Sequence, residues 1–101
     1  MKIRFSNQDI RIRLDLDDLN FLKSNQYLKE ELNIGNGSKF EFLLIFSDHS
    51  QDALLNFSDG ILKTFIPELS GNQWLNSTLE GLYYNIGDVK LSVEKDKGCF
   101  H

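Results

Sequence analysis

The chain has 101 residues, enough for one domain with a core that needs no disulfide or structural metal. Hydrophobic residues make up 41%, with eight Phe and one Pro, which excludes a disordered chain, and no apolar run nears the ~18 residues of a membrane-spanning helix. Eleven basic against fifteen acidic side chains leave a net charge of -4, which counts against non-specific nucleic-acid binding.

Strand-type alternation begins at once. Met1, Ile3 and Phe5 alternate with Lys2 and Arg4, and Ile10, Ile12 and Leu14 alternate with Arg11 and Arg13. Ser6-Asn7-Gln8-Asp9 between them is turn-forming, so the first fourteen residues read as a hairpin. Asp15 is placed to cap a short helix by accepting from the free amide of Asp18 or of the residue before it. Leu16, Leu19 and Leu22 form that helix's apolar stripe, and it ends near Ser24-Asn25. Residues 27–32 are strand or irregular, and Gly35-Asn36-Gly37 is a turn.

Residues 40–46 are apolar on both parities apart from Glu41, the mark of a central strand covered on both faces. A strand at 52–57 turns at Ser58-Asp59-Gly60 and returns over 61–66. Pro67 ends that strand and suits the first turn of a second helix, whose buried side is Leu69, Trp74 and Leu75, with Gly71-Asn72 a weak point in the middle. Residues 79–86 and 89–95 make a last hairpin around Gly87-Asp88. No linker, internal repeat or low-complexity tract is visible, so residues 1–101 read as a single domain. The expected fold is α+β: one curled, barrel-like antiparallel sheet of seven or eight strands with two short helices.

Known catalytic signatures are missing from the chain: there is no phosphate-binding loop, dinucleotide fingerprint, paired-cysteine metal spacing or nucleophile elbow. Ser58-Asp59-Gly60 is explained by turn chemistry, and His49 sits in a predicted surface loop without a second histidine at ligand spacing. Cys99 and His101 stand two residues apart near Glu94 and Asp96, but two such ligands fall short of a tetrahedral zinc set, so no metal or other cofactor is expected. One cysteine and no apolar leader point to a reducing compartment, most simply the cytoplasm. Tyr83-Tyr84 puts one ring on each face of its strand.

The most informative pattern is ionic. If Ile3, Phe5, Ile10 and Ile12 point inward, Lys2, Arg4, Arg11 and Arg13 share the opposite face of one hairpin. In the last strand Leu91 and Val93 share one parity, so Ser92, Glu94 and Asp96 face the other way. Terminal strands lying side by side would bring Glu94 and Asp96 against Arg4, Arg11 and Arg13. Such a cluster is either a cross-strand ladder that fixes register or, with cations in excess, a place to capture a carboxylate or phosphate.

The same residues carry a resemblance. The opening Met1-Lys2-Ile3-Arg4, then Ile10-Arg11-Ile12-Arg13-Leu14, and the closing Val93-Glu94-Lys95-Asp96 followed by Cys99 resemble the two ends of a small bacterial family of unknown function. The resemblance implies a freestanding bacterial domain and brings no activity, cofactor or ligand with it.

The functional expectation is a small binding or interaction domain without catalysis, taking a protein partner or a second copy of itself, because no nucleophile, base and oxyanion donors converge. Dimerisation would help to cover the two-sided strand at 40–46. The alternative is an anion- or phosphate-binding pocket, hydrolytic if Glu94 serves as base, built on Arg4, Arg11, Arg13 and Glu94 with Asp96 beside them.

Overall fold

Four two-stranded units and two helices follow one another along the chain, and the local chemistry of each is simple. The computed structural model describes residues 1–96. Strands β1 (Lys2–Ser6) and β2 (Asp9–Leu14) form the first hairpin, joined by Asn7 and Gln8, which both take positive φ. Helix α1 (Leu16–Asn25) starts at Asp15, which accepts from the Asp18 amide at 2.9 Å while Asp18 accepts from the Asp15 amide at 3.1 Å. That first bond is the main reason the Asp15 carboxyl is held below its ordinary value. Leu19 and Leu22 face the core, while Leu16 points to solvent because the cap, and not the stripe, decides where the helix begins.

Strands β3 (Tyr27–Gly35) and β4 (Ser38–Ser47) form the second hairpin, and β5 (Leu54–Ser58) and β6 (Ile61–Pro67) the third. Helix α2 (Glu68–Leu75) follows Pro67 directly, and β7 (Gly81–Ile86) with β8 (Val89–Lys95) closes the described chain. Trp74 and Leu75 are buried, but Leu69 is 73% exposed, so it lies outside the core-facing stripe it was expected to join. Gly71, expected to weaken α2, is what lets it dock: a Cβ there would stand 2.6 Å from the Phe46 ring. Asn72 beside it exchanges two 3.0 Å amide hydrogen bonds with Gln26, tying α2 to the end of α1.

The expected single barrel-like sheet is instead two open four-stranded sheets, ordered β1-β2-β8-β7 and β3-β4-β6-β5. Nor are they wholly antiparallel, because β2 runs parallel to β8 and β4 parallel to β6. The hairpins are antiparallel, as their turns dictate, but each sheet joins two hairpins side by side through a parallel seam. Both sheets and both helices feed one core, with Ile12, Leu14, Leu22, Leu44, Ile66, Trp74, Leu91 and Val93 at its buried centre.

The architecture also contains a repeat that was not visible in the sequence. Hairpin-helix-hairpin occurs twice, as β1-β2-α1-β3-β4 and β5-β6-α2-β7-β8, and exchanging the two units carries one sheet order onto the other. The registers match strand for strand. The row Lys2–Arg13–Glu94–Gly81 in the first sheet corresponds to Leu54–Phe65–Ile45–Tyr27 in the second. Two isolated backbone bonds recur too: Lys90 N–H to Gln8 O matches Glu41 N–H to Gly60 O, and Lys95 N–H to Glu80 O matches Phe46 N–H to Gln26 O, all at 2.9 Å.

Candidate functional site

The outward face of β1-β2-β8-β7 is where the charges gather. Alternation along β1 and β2 buries Ile10, Ile12 and Leu14 and sends Lys2, Arg4, Arg11 and Arg13 outward, with Arg4 opposite Arg11 and Lys2 opposite Arg13. The parallel seam sets Glu94 of β8 level with Arg13 and Ser92 level with Arg11. Glu94 is only 9% exposed and is held from two sides: Arg11 Nη2 lies 3.3 Å from Oε1, and the Tyr83 hydroxyl donates to Oε2 at 2.8 Å.

Tyr83 reaches Glu94 by lying across Gly81. A Cβ at Gly81 would stand 2.8 Å from the Val93 carbonyl oxygen and 2.9 Å from both Glu94 Cγ and the tyrosine oxygen. The bare backbone is therefore the floor on which the ring rests. Accepting this bond, the Glu94 carboxylate pushes the Tyr83 hydroxyl above its ordinary value, and partial burial adds to that. The phenol is thereby kept a neutral donor.

One carboxylate does not balance four cations. Lys2, Arg4 and Arg13 have no carboxylate within 4 Å among the described residues. With Arg11 and Ile3 they line a cleft of about 270 Å³. Asp96 stands at one end, where it shares a second cleft with Arg13, Lys2, Asp15 and Asp18, while its amide donates to Leu14 O at 2.8 Å. There Asp18 also accepts from the Met1 amino group at 2.8 Å. Burial works against that amine's charge, but the Asp18 bond and the charges of Asp18 and Glu30 outweigh it and hold its pKa above the ordinary value.

Every expected member of the cluster (Arg4, Arg11, Arg13, Glu94 and Asp96) thus belongs to this face or its rim. Tyr83 and Gly81 were not anticipated as its partners, although both fall on the same parity as the arginines once Leu82 and Tyr84 are turned inward. Lys95 was also missed. On the parity of Leu91 and Val93, it is buried and donates to Trp74 O at 2.9 Å and Ser77 O at 2.6 Å, with Nζ 5.2 Å from the Trp74 ring centre. It serves the carbonyl end of α2 and takes no part in the outer face.

The other sheet's outer face is chemically different at equivalent positions. Tyr27, Ile45, Phe65 and Leu54 form an apolar row across all four strands, with Phe21 edge-on to Tyr27 at 5.6 Å. Strand β4 is central as expected, but this face is not fully covered: Ile45 and Phe65 are half-buried, and Tyr27 and Leu54 are exposed. Beside the row, Lys29, Glu31, Lys39 and Glu41 close a ring of ion pairs at 2.6, 3.7, 2.8 and 3.9 Å. Each charge there has its opposite.

No group of three or more His, Cys, Asp or Glu side chains is placed to hold a metal ion among the described residues. Cys99 and His101, the weak metal candidate, lie outside the described residues. His49 is exposed with Asp48 3.3 Å from its ring, and Asp59 and Gly60 both take positive φ as turn residues. No helix among the described residues is long and apolar enough to cross a membrane. On the cationic face, Lys2 and the arginines offer positive charge and hydrogen-bond donors, and the Tyr83 phenol is committed to Glu94.

Fold and face together define an α+β protein of two open sheets, one cationic on its outer side and one with an apolar row beside a ring of ion pairs. The chain belongs to the DUF7009 family, a family of unknown function, which matches residues 1–101. No curated protein and no solved structure matches it.

Proposed function

We propose that the protein is a non-catalytic binding domain that holds a carboxylate or phosphate group in the cleft that Lys2, Ile3, Arg4, Arg11 and Arg13 line on the β1-β2 hairpin. The observation that carries this reading is the surplus of charge: Lys2, Arg4 and Arg13 line one concavity without a carboxylate within 4 Å among the described residues. Guanidinium groups favour such ligands because their fork of donors matches two oxygens at once. Glu94 acts as a positioning group, since it fixes Arg11 and is itself fixed by Tyr83. Thermal unfolding in low salt with inorganic phosphate or citrate tests it. Ligand at about 100 times its Kd stabilises by about 2.7 kcal/mol, and that response is expected to vanish in Arg4→Ala/Arg13→Ala. An equal response in the double variant, or none in the wild type, would exclude the cleft as the site.

A second reading, self-association, is favoured by the apolar row Tyr27–Ile45–Phe65–Leu54. Its flanking ion-pair ring is already neutralised and Lys63 adds one further cation beside the row, so two copies meeting there repel less than two cationic faces would. Light scattering at tens of micromolar is expected to show a dimer that Ile45→Glu returns to a monomer. A wild-type monomer under those conditions removes this reading.

A further inference from the structure

The cationic cleft runs along a free sheet edge. Among the described residues strand β1 pairs with β2 alone, and three consecutive residues of β1 (Lys2, Ile3 and Arg4) line the cleft with Arg11 and Arg13 behind them. An edge strand exposes a row of unpaired amides and carbonyls that another extended chain can use. Here that row is coupled to a side-chain pattern. Lys2 and Arg4 point outward two residues apart, so their Cα atoms are separated by ~6.8 Å, the same repeat that alternate residues of an added strand have. On the other side, Phe5 is 55% exposed, beside a cleft of about 350 Å³ that Ile10 and Val89 help to line.

Charged side chains on an edge commonly serve only to discourage aggregation. The internal repeat supplies a control for that explanation. The equivalent edge, β5, is just as open among the described residues, yet Leu54 and Asn56 stand where β1 has Lys2 and Arg4; behind it Phe65 stands where β2 has Arg13, and only Lys63, at the place of Arg11, keeps a cation. A general need to protect edges would act on both. Of these two edge strands only β1 carries cations, in a chain whose net charge is -4.

We infer that the cleft's occupant is an extended acidic segment of a protein partner, which adds to β1 as a further strand of the sheet. Acidic side chains at alternate positions meet Lys2, Arg4 and the arginines behind, apolar ones between them turn toward Phe5, and the backbone pairs with the free edge. The inference rests on the anion-binding reading and narrows it, since a single phosphate uses the charge but not the repeat or the edge.

Fluorescence anisotropy in low salt tests it, with the full chain and a labelled peptide of alternating glutamate and valine. A second peptide carries the same side chains but has alternate backbone nitrogens methylated, which removes the donors that pair with an edge. The first peptide is expected to bind; backbone methylation and Arg4→Glu are each expected to weaken it by about tenfold or more, while Asn56→Glu, at the position on β5 equivalent to Arg4, leaves affinity unchanged. Circular dichroism checks that both variants are folded. Equal binding of the two peptides, or binding of phosphate with none of the first peptide, overturns strand addition and leaves the anion site standing. If neither phosphate nor the peptide binds, both readings fall.

Discussion

Gly71 sits in the interior of α2, where alanine is worth about 1 kcal/mol more than glycine on helix propensity alone. Packing argues the other way, because the added methyl would press to 2.6 Å from the buried Phe46 ring. Forcing extra volume into a packed core costs about 1–3 kcal/mol, so Gly71→Ala is expected to lower the urea midpoint. A raised midpoint would mean that the ring yields freely. Gly71 marks the limit of reading single residues from the chain: local propensity named it a weak point, and only the strand beneath shows why it must stay bare. Glu94 is the opposite case, since simple alternation placed it outward and toward the arginines. Tyr83 falls between them, because its parity was readable but its reach depends on the missing side chain of Gly81, and Gly81 faces Glu94 across a strand pair.

At the scale of elements, the β3–β4 ion-pair ring gives the clearest dependence on pH. The Lys29 hydrogen bond, helped by the charges of Lys29 and Lys39, holds the Glu31 carboxyl below its ordinary 4.5. Its contribution to stability is therefore complete above pH 4.5 and is lost as pH falls through the lowered folded value. Hydrogen bonds to Glu31 and Glu41 raise Lys29 and Lys39 above 10.5, so their contribution is complete below that value and is lost as pH climbs through the raised one. Urea midpoints measured from pH 7 down to pH 3 are expected to fall less steeply in Glu31→Gln. An unchanged acid limb would show that the ring adds nothing to stability. Hairpins were legible at this scale because a turn and its two strands are neighbours in sequence. Their assembly was not, since nothing in Asp9–Leu14 states that it will lie parallel to Val89–Lys95. Reading every strand as part of one curled antiparallel sheet extended a local rule to a non-local choice.

On the scale of the whole molecule, the two repeats are interleaved. Residues 1–47 supply β1 and β2 to one sheet and β3 and β4 to the other, and residues 48–96 complete both. Each half alone would hold two hairpins with no seam to close. Separate peptides of residues 1–47 and 48–101 are expected to lack ordered circular dichroism, and an equimolar mixture to regain it. A half that folds alone as a monomer would show that the parallel seams are dispensable. The intact chain is likewise expected to unfold in one transition, because both sheets feed one core. A trace of the repeat does exist in the sequence: Phe5-Ser6-Asn7 and Phe57-Ser58-Asp59 end equivalent strands and enter equivalent positive-φ turns. Phe46-Ser47-Asp48 matches the same pattern at the end of β4, outside any hairpin turn, so the triplet by itself does not mark the unit.

That interleaving bears on how such a molecule can change over time. A half-length ancestor built on this plan would be viable only as an intertwined pair of identical chains, and any mutation in it would strike both outer surfaces together. Fusion into one polypeptide lifts that constraint, because each copy of a position can then drift alone. Arginine at 13 and phenylalanine at 65 occupy equivalent places in the two units, a difference that a pair of identical chains could not carry and a single fused chain can.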